Sequence, residues 1–174
     1  MRFKLRFLPQ RVAEWADKYD YPTADTRPFE IGKAAKARGY MDRDEFLELA
    51  RWKTPRSRPQ CQRNDADFVR EVTAVALTTS NERMAIEVLT LLHGVSWPTA
   101  SVILHFCSRH RYPILDFRAL WTLSCKAQPA EYDFPLWRDY VQITRELADA
   151  MKIDMRTLDR ALWAYSKANQ PAGT

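Results

Sequence analysis

Two apolar segments joined by a short turn at Gly94 constrain the fold more than any other part of the chain. Leu89 and Leu92 close an apolar helix face before the turn, and Pro98 follows it at a position typical of the first turn of a new helix. The apolar residues that recur at helical spacing after the turn are Ala100, Ile103, Leu104 and Cys107. The sequence therefore predicts a helical hairpin over about residues 82–108.

The other long segments also have helical periodicity, so we expect an all-α fold. Asp42 and Glu45 form a capping-box pattern for a helix that runs to about Trp52. We predict further helices over residues 10–19, from Asn64 or Asp65 to about 79, from Ser80 or Asn81 into the hairpin, from about 117 to 125, over 134–151 and over 155–168. The helix after Asn64 is expected to bury a face of Phe68, Val72, Val75 and Ala76. The basic, alternating arm of residues 2–7 is expected to be a strand or an extended tail.

Length and composition favour a single domain of two lobes spanning residues 1–174. The chain has a net charge of +5 and an isoelectric point near 9.2, which fits a polyanionic partner. No apolar run has transmembrane length, and no N-terminal signal pattern is present, so no membrane partner is expected. Three cysteines without a pairing pattern favour the reducing cytoplasm, with nucleoid association in a bacterium. We expect a monomer.

Two groups of residues have ordinary structural interpretations. We expect four tryptophans of amphipathic helices to be core residues: Trp15, Trp121, Trp137 and Trp163. Carboxylates of the last third alternate with arginines and are expected on solvated helix faces: Glu131, Asp133, Asp139, Glu146, Asp149, Asp154 and Asp159. The spacing of His93, His105 and His110 predicts no metal site.

The hairpin sequence LTLLHGVSWPTASVIL resembles the helix-hairpin-helix of the HhH-GPD superfamily of DNA glycosylases, which includes endonuclease III. A turn that ends at a helix N-terminus leaves backbone N–H groups available for a phosphate. Gly94 allows a positive φ and a close approach of the DNA backbone. The resemblance implies that the hairpin residues Gly94, Val95, Ser96, Trp97 and Thr99 bind duplex DNA. The alternative is an ordinary αα-hairpin in which Gly94 is only a C-cap.

An aspartate follows the hairpin at the distance that the superfamily requires. Asp116 comes after Pro113, Ile114 and Leu115, in a hydrophobic-D-x-x-hydrophobic segment. The resemblance implies that Asp116 is the catalytic carboxylate, and we expect Arg118 beside it to contact DNA. The alternative, which does not exclude catalysis, is that Asp116 caps the helix beginning near residue 117.

The chain also departs from the superfamily. Ser96 replaces the second glycine of the usual G-V-G turn, and Pro98 stands where bifunctional members have a Schiff-base lysine. The resemblance therefore implies a monofunctional enzyme in which water is the nucleophile. Cys61, Cys107 and Cys125 are too few for the iron–sulfur cluster of the endonuclease III type, so we expect neither a metal nor another cofactor.

The basic linker of residues 51–63, RWKTPRSRPQCQR, contains no acidic residue. Its prolines predict a non-helical loop. We expect Lys53, Arg56 and Arg58 to contact phosphates and Trp52 to stack on a base, with Lys53 as a candidate displaced lyase nucleophile. The alternative is a solvated connector.

The resemblance to the superfamily therefore implies a DNA glycosylase that flips a modified or mismatched base into a pocket between its lobes. Asp116 would stabilise the oxocarbenium-like sugar or activate water. Two alternatives remain: a helix-hairpin-helix module that binds DNA without catalysis, and a helical adaptor that binds protein.

Overall fold

The computed structural model describes residues 3–21 and 25–171, and within these ranges the chain is helical with no β-strand. The prediction of an all-α fold is thus confirmed. In chain order the α-helices are α1 (Val12–Asp17), α2 (Thr26–Arg38), α3 (Arg43–Lys53), α4 (Arg58–Cys61), α5 (Ala66–Thr78), α6 (Glu82–Leu89), α7 (Trp97–Cys107), α8 (Phe117–Thr122), α9 (Phe134–Met151) and α10 (Met155–Asn169). Short 3-10 helices cover Pro9–Arg11, Pro55–Ser57 and Pro129–Glu131. None of the described helices is long and apolar enough to cross a membrane.

These residues group into two compact units. The terminal unit contains residues 3–21 and 113–171, and the central unit contains residues 25–112. In the terminal unit, α10 packs against α1, α8 and α9. Its core includes Trp137 and Tyr140, which are fully buried, and Trp15. Trp121 and Trp163 are only half-buried, so the prediction that all four helical tryptophans are core residues was correct for Trp15 and Trp137 alone.

The described part of the basic N-terminal arm, residues 3–7, forms no strand and bends at Arg6 and Phe7. Lys4 and Arg6 donate backbone hydrogen bonds of 2.9 and 3.0 Å to the carbonyl groups of Leu123 and Thr122. Arg2 lies outside the described residues. The arm is therefore fixed along the end of α8 by backbone pairing too short to make a sheet.

Helix α7 forms the centre of the central unit, where it contacts α2, α3, α5 and α6. It is buried on almost every side, and Ala100, Ile103 and Leu104 are fully inaccessible to solvent. Helix α2 comes very close to it at Gly32, where any Cβ atom would overlap the carbonyl group of Phe106. A helix that is apolar all round is expected at the centre of a helical core, and α7 occupies that place.

Side-chain caps fix the starts of most longer helices. In each case the N-cap oxygen accepts a backbone N–H of the first helical turn, which stabilises a helix by about 1 kcal/mol. The capping box of Asp42 and Glu45 is present as predicted. The other side-chain N-caps are Asp65, Asn81, Asp116, Asp133 and Asp154.

The prediction that residues 51–63 form a non-helical loop was wrong. Helix α3 continues to Lys53, a 3-10 helix covers Pro55–Ser57, and α4 covers Arg58–Cys61. Both prolines lie in the first turn of a short helix, where no N–H is required and the fixed φ is already helical. They therefore start helices here instead of breaking one.

Other boundaries and faces also differ from the predictions. The sequence did not indicate α2, α1 is shorter than the predicted 10–19, and α8 ends at Thr122 rather than near residue 125. On α5 the buried face contains Val69, Val72 and Ala76, whereas Phe68 and Val75 are exposed. The true face is rotated by one residue because Val69 and Thr73, not Phe68, point to the core.

Candidate functional site

The turn between α6 and α7 is compact and contains a left-handed glycine. Gly94 has φ +78°, and the backbone N–H of Val95 donates a 3.1 Å hydrogen bond to the carbonyl of Leu92. Ser96 is the N-cap of α7, but its side chain makes no cap hydrogen bond, and Pro98 lies in the first turn as predicted. The start of α7 thus lacks the side-chain cap that most of the other longer helices have.

Asn64 fastens this turn to the segment before it. The N–H of His93 donates a 2.8 Å hydrogen bond to Asn64 Oδ1, and Asn64 Nδ2 donates to the carbonyl of His93 at 3.0 Å. The same amide nitrogen donates to the carbonyl of Cys61 at 2.9 Å. Asn64 is 2% exposed. The sequence left Asn64 and Asp65 as alternative caps of α5; Asp65 is the cap, and Asn64 instead holds the turn.

Gly94 packs closely against α4. A Cβ atom at this position would lie 2.8 Å from Cys61 Sγ, 2.9 Å from the backbone nitrogen of Cys61 and 3.0 Å from Gln60 Cβ. Such distances are shorter than van der Waals contact, so the fold itself requires glycine here. The close approach that the sequence suggested for a DNA backbone is made, on this face of the glycine, by the protein.

The hairpin residues predicted to bind DNA differ in the solvent exposure of their side chains. Ser96 is exposed and Trp97 is half-buried. Val95 is 8% exposed and Thr99 is 1% exposed. The side chains of Val95 and Thr99 therefore belong to the core, and the backbone N–H of Val95 is already bonded to Leu92.

The basic segment lies against the same turn. Gln60 and Cys61 contact Gly94, and Asn64 binds His93, so α4 packs directly against the hairpin. Arg56 and Arg58 are exposed on them, while Lys53 is half-buried at the end of α3. The basic segment thus meets the turn through Gln60 and Cys61, while Lys53, Arg56 and Arg58 belong to the same central unit as the hairpin.

Trp52 has a different environment from the free surface expected of a stacking platform. It is half-buried, and its ring meets the ring of Phe106 edge-on at 5.5 Å. It also lines an apolar cavity of about 290 Å³, together with Ile31, Leu49 and Pro55. Trp52 is therefore a wall of a cavity between α2 and α3.

Asp116 lies in the terminal unit, at the start of α8. Its Oδ1 accepts a 2.9 Å hydrogen bond from the backbone N–H of Arg118, so it does cap the helix. The carboxyl is half-buried, and the three residues before it are buried. Burial, together with the negative charge of Asp116, raises the pKa of Tyr132 to about 12. The same two causes, with the charge of Asp159, raise the pKa of the fully buried Tyr140 well above its usual range.

Arg118 and a buried ion pair are two further charged features of this unit. The Arg118 guanidinium lies 5.0 Å from the ring centre of Phe117 and 5.5 Å from that of Trp163. Asp159 is 6% exposed and paired with Arg156, so its assignment to a solvated helix face was wrong. The i, i+3 spacing of an arginine and an aspartate was the sequence signal for this pair, but that spacing is equally common on surfaces.

Cysteine and metal chemistry have little support in the described residues. Cys61, Cys107 and Cys125 are buried and form no disulfide. Burial raises the pKa of Cys107 to about 12, which makes it a poor nucleophile. No group of three or more His, Cys, Asp or Glu residues suited to a metal ion occurs among residues 3–21 and 25–171.

Comparison with other proteins adds no assignment. No family model matches the sequence, and no curated protein or solved structure is significantly similar to it.

Proposed function

We propose that this protein binds duplex DNA through the α6–α7 hairpin and acts, as a monomer, as a monofunctional DNA glycosylase. The observation that carries the proposal is the turn at Gly94. It leads into a helix without a side-chain cap and is backed by a basic segment without acidic residues. Backbone N–H groups at a helix N-terminus bind phosphate, and nearby arginines strengthen that binding.

In this proposal the chemistry belongs to Asp116. A half-buried carboxylate stabilises positive charge more strongly than a solvated one, because less water screens it. A carboxylate has about four acceptor sites, and the bond from the Arg118 N–H uses one of them. Asp116 would stabilise the oxocarbenium-like sugar of an extruded nucleotide or activate the attacking water. Pro98 offers no amine, so water completes the reaction.

A second candidate is a DNA-binding module without catalysis. Two observations favour it: Asp116 caps α8, and the packing of Gly94 against Cys61 itself requires glycine. Both candidates share the hairpin and the basic segment. They differ only in whether a base is released.

The test is incubation with duplexes that each contain one modified or mismatched base, followed by alkaline cleavage of any abasic sites. A glycosylase gives strand cleavage only after alkali, and borohydride traps no covalent adduct. A trapped adduct would instead identify a lysine nucleophile, with Lys53 the first to substitute. Salt-dependent duplex binding without base release from any substrate would leave the DNA-binding module.

A further inference from the structure

A cavity of about 340 Å³ in the terminal unit is not used by the proposed function. Phe117 and Trp121 of α8 line it, with Arg6 of the N-terminal arm. Lys126 and Gln128, from the segment after α8, line it too. Ligand cavities measure roughly 300–1,000 Å³, so this one suits a single small ligand.

The aromatic part of this cavity is accessible to a ligand. Phe117 is 50% exposed, although it is a large apolar residue at the start of a helix. The Arg6 guanidinium lies 4.4 Å from the ring centre of Trp121, and its Nε donates a 2.6 Å hydrogen bond to the Trp121 carbonyl. Nucleobases stack both on benzene rings such as that of Phe117 and on guanidinium planes such as that of Arg6, which lies over the indole of Trp121.

The charged part of the cavity is cationic. Arg6 and Lys126 are exposed, and no carboxylate is among the lining residues. Two acids lie close to the lining residues in sequence: Asp116, just before Phe117, accepts the backbone N–H of Arg118 at 2.9 Å, and Glu131 accepts the backbone N–H of Gln128 at 2.6 Å. The cavity therefore combines a flat apolar wall with two positive charges, which selects a planar ligand that carries negative charge.

We propose that this cavity binds one nucleotide unit, with the base against Phe117 and the phosphate at Arg6 and Lys126. Aromatic stacking together with cationic phosphate contact is the usual chemistry of sites for unpaired nucleotides. The unit is either a free mononucleotide or an unpaired nucleotide of a DNA strand. The inference does not rest on the hairpin, because its residues all lie in the terminal unit, and nucleotide binding is measured without any release of a base.

The test compares two matched double variants, Phe117→Ala with Lys126→Ala and Phe29→Ala with Lys33→Ala. Phe29 is also 50% exposed and Lys33 is exposed, but both belong to the central unit. Calorimetric titration with thymidine monophosphate measures the affinity for a free nucleotide. Fluorescence anisotropy with a labelled oligothymidine measures the affinity for an unpaired nucleotide of a strand. Lys126→Ala alone serves as a second variant, because an exposed lysine outside a helix is not needed for folding.

We expect the cavity variant to bind at least about tenfold more weakly, and the control variant to bind like the wild type. Weaker binding of the oligonucleotide identifies a strand nucleotide as the ligand, and weaker binding of the monophosphate alone identifies the free nucleotide. Unchanged affinity for both in the cavity variants, or no binding of either by the wild type, would overturn the inference. Arg56→Ala with Arg58→Ala separates this result from the proposed function, because it should weaken duplex binding and leave monophosphate binding unchanged.

Discussion

The bonds between Asn64 and the hairpin lead to the most direct prediction from the structure. Asn64→Ala removes the acceptor for the His93 N–H and the donor to the carbonyls of His93 and Cys61. Each such bond contributes about 1 kcal/mol net, and a buried group left without a partner costs more. We therefore expect the free energy of unfolding to fall by about 3 kcal/mol.

Asn81→Ala is the matched control. Asn81 also uses its side-chain oxygen on two backbone N–H groups, those of Arg83 and Met84 at 3.0 Å, but it is exposed at the start of α6. Loss of an exposed N-cap costs about 1 kcal/mol. Urea denaturation followed by circular dichroism gives both values by linear extrapolation.

Amide hydrogen exchange measures the hydrogen bond between Asn64 and His93 at a single amide, that of His93. In the wild type the His93 amide is protected by Asn64 Oδ1, and in Asn64→Ala it should exchange far faster, while amides in the middle of α5 change only with global stability. Asn64 does not hold the turn if Asn64→Ala lowers the free energy of unfolding no more than Asn81→Ala does and the His93 amide remains protected from exchange.

Three further predictions concern the turn, the basic segment and a buried tyrosine. Gly94→Ala should lower the free energy of unfolding by about 2 kcal/mol or more, because Gly94 has a φ of +78° and packs against α4. Gly39→Ala is the control: Gly39 has a φ of +84°, but its Cβ would make only a 3.4 Å contact, so the same denaturation assay should show a smaller loss. Arg56→Ala with Arg58→Ala should reduce the salt dependence of duplex binding by up to about two counterions, and an unaltered slope would make this segment a connector. Because the folded pKa of Tyr132 is raised to about 12, stability should fall as pH rises from 10 towards 12, and Tyr132→Phe should reduce that fall in alkaline denaturation curves.

The sequence predicted well those features that depend on neighbouring residues. The capping box at Asp42, the helix over 134–151 and Pro98 in the first turn of α7 are all present, because each signal lies within a few residues. Helix α2, in contrast, was not predicted, because it contains Pro28 and Gly32, which are unfavourable inside a helix. Proline is accepted in its first turn, and Gly32 is explained only by the close contact with Phe106, which is far along the chain.

The role of Asn64 was beyond local reasoning for the same reason. From the sequence, either Asn64 or Asp65 could cap the next helix. The hydrogen bond between Asn64 and His93 forms only when the chain is folded, because the two residues are 29 positions apart. The buried pair of Arg156 and Asp159 has the same i, i+3 spacing as surface pairs such as Arg27 and Glu30. Spacing along a helix therefore predicts that two charges meet, but burial depends on the neighbouring helices.

The predicted catalytic role of Asp116 can be separated from its capping role by a second aspartate. Asp133 caps α9 in the same unit, with an extended backbone and a 2.9 Å bond from the N–H of Leu136, much as Asp116 accepts from Arg118. Asparagine caps helices about as well as aspartate, so neither Asp116→Asn nor Asp133→Asn should change the free energy of unfolding much.

Only the loss of charge at Asp116 should change catalysis. If the protein releases a base, Asp116→Asn should lower the rate by about 10²–10⁴ at unchanged duplex affinity, because a general acid or base typically contributes that much. Asp133→Asn should release the base at the wild-type rate. Wild-type activity in Asp116→Asn would mean that this aspartate acts only as a cap, since its oxygen and its hydrogen bond are retained while its charge is gone.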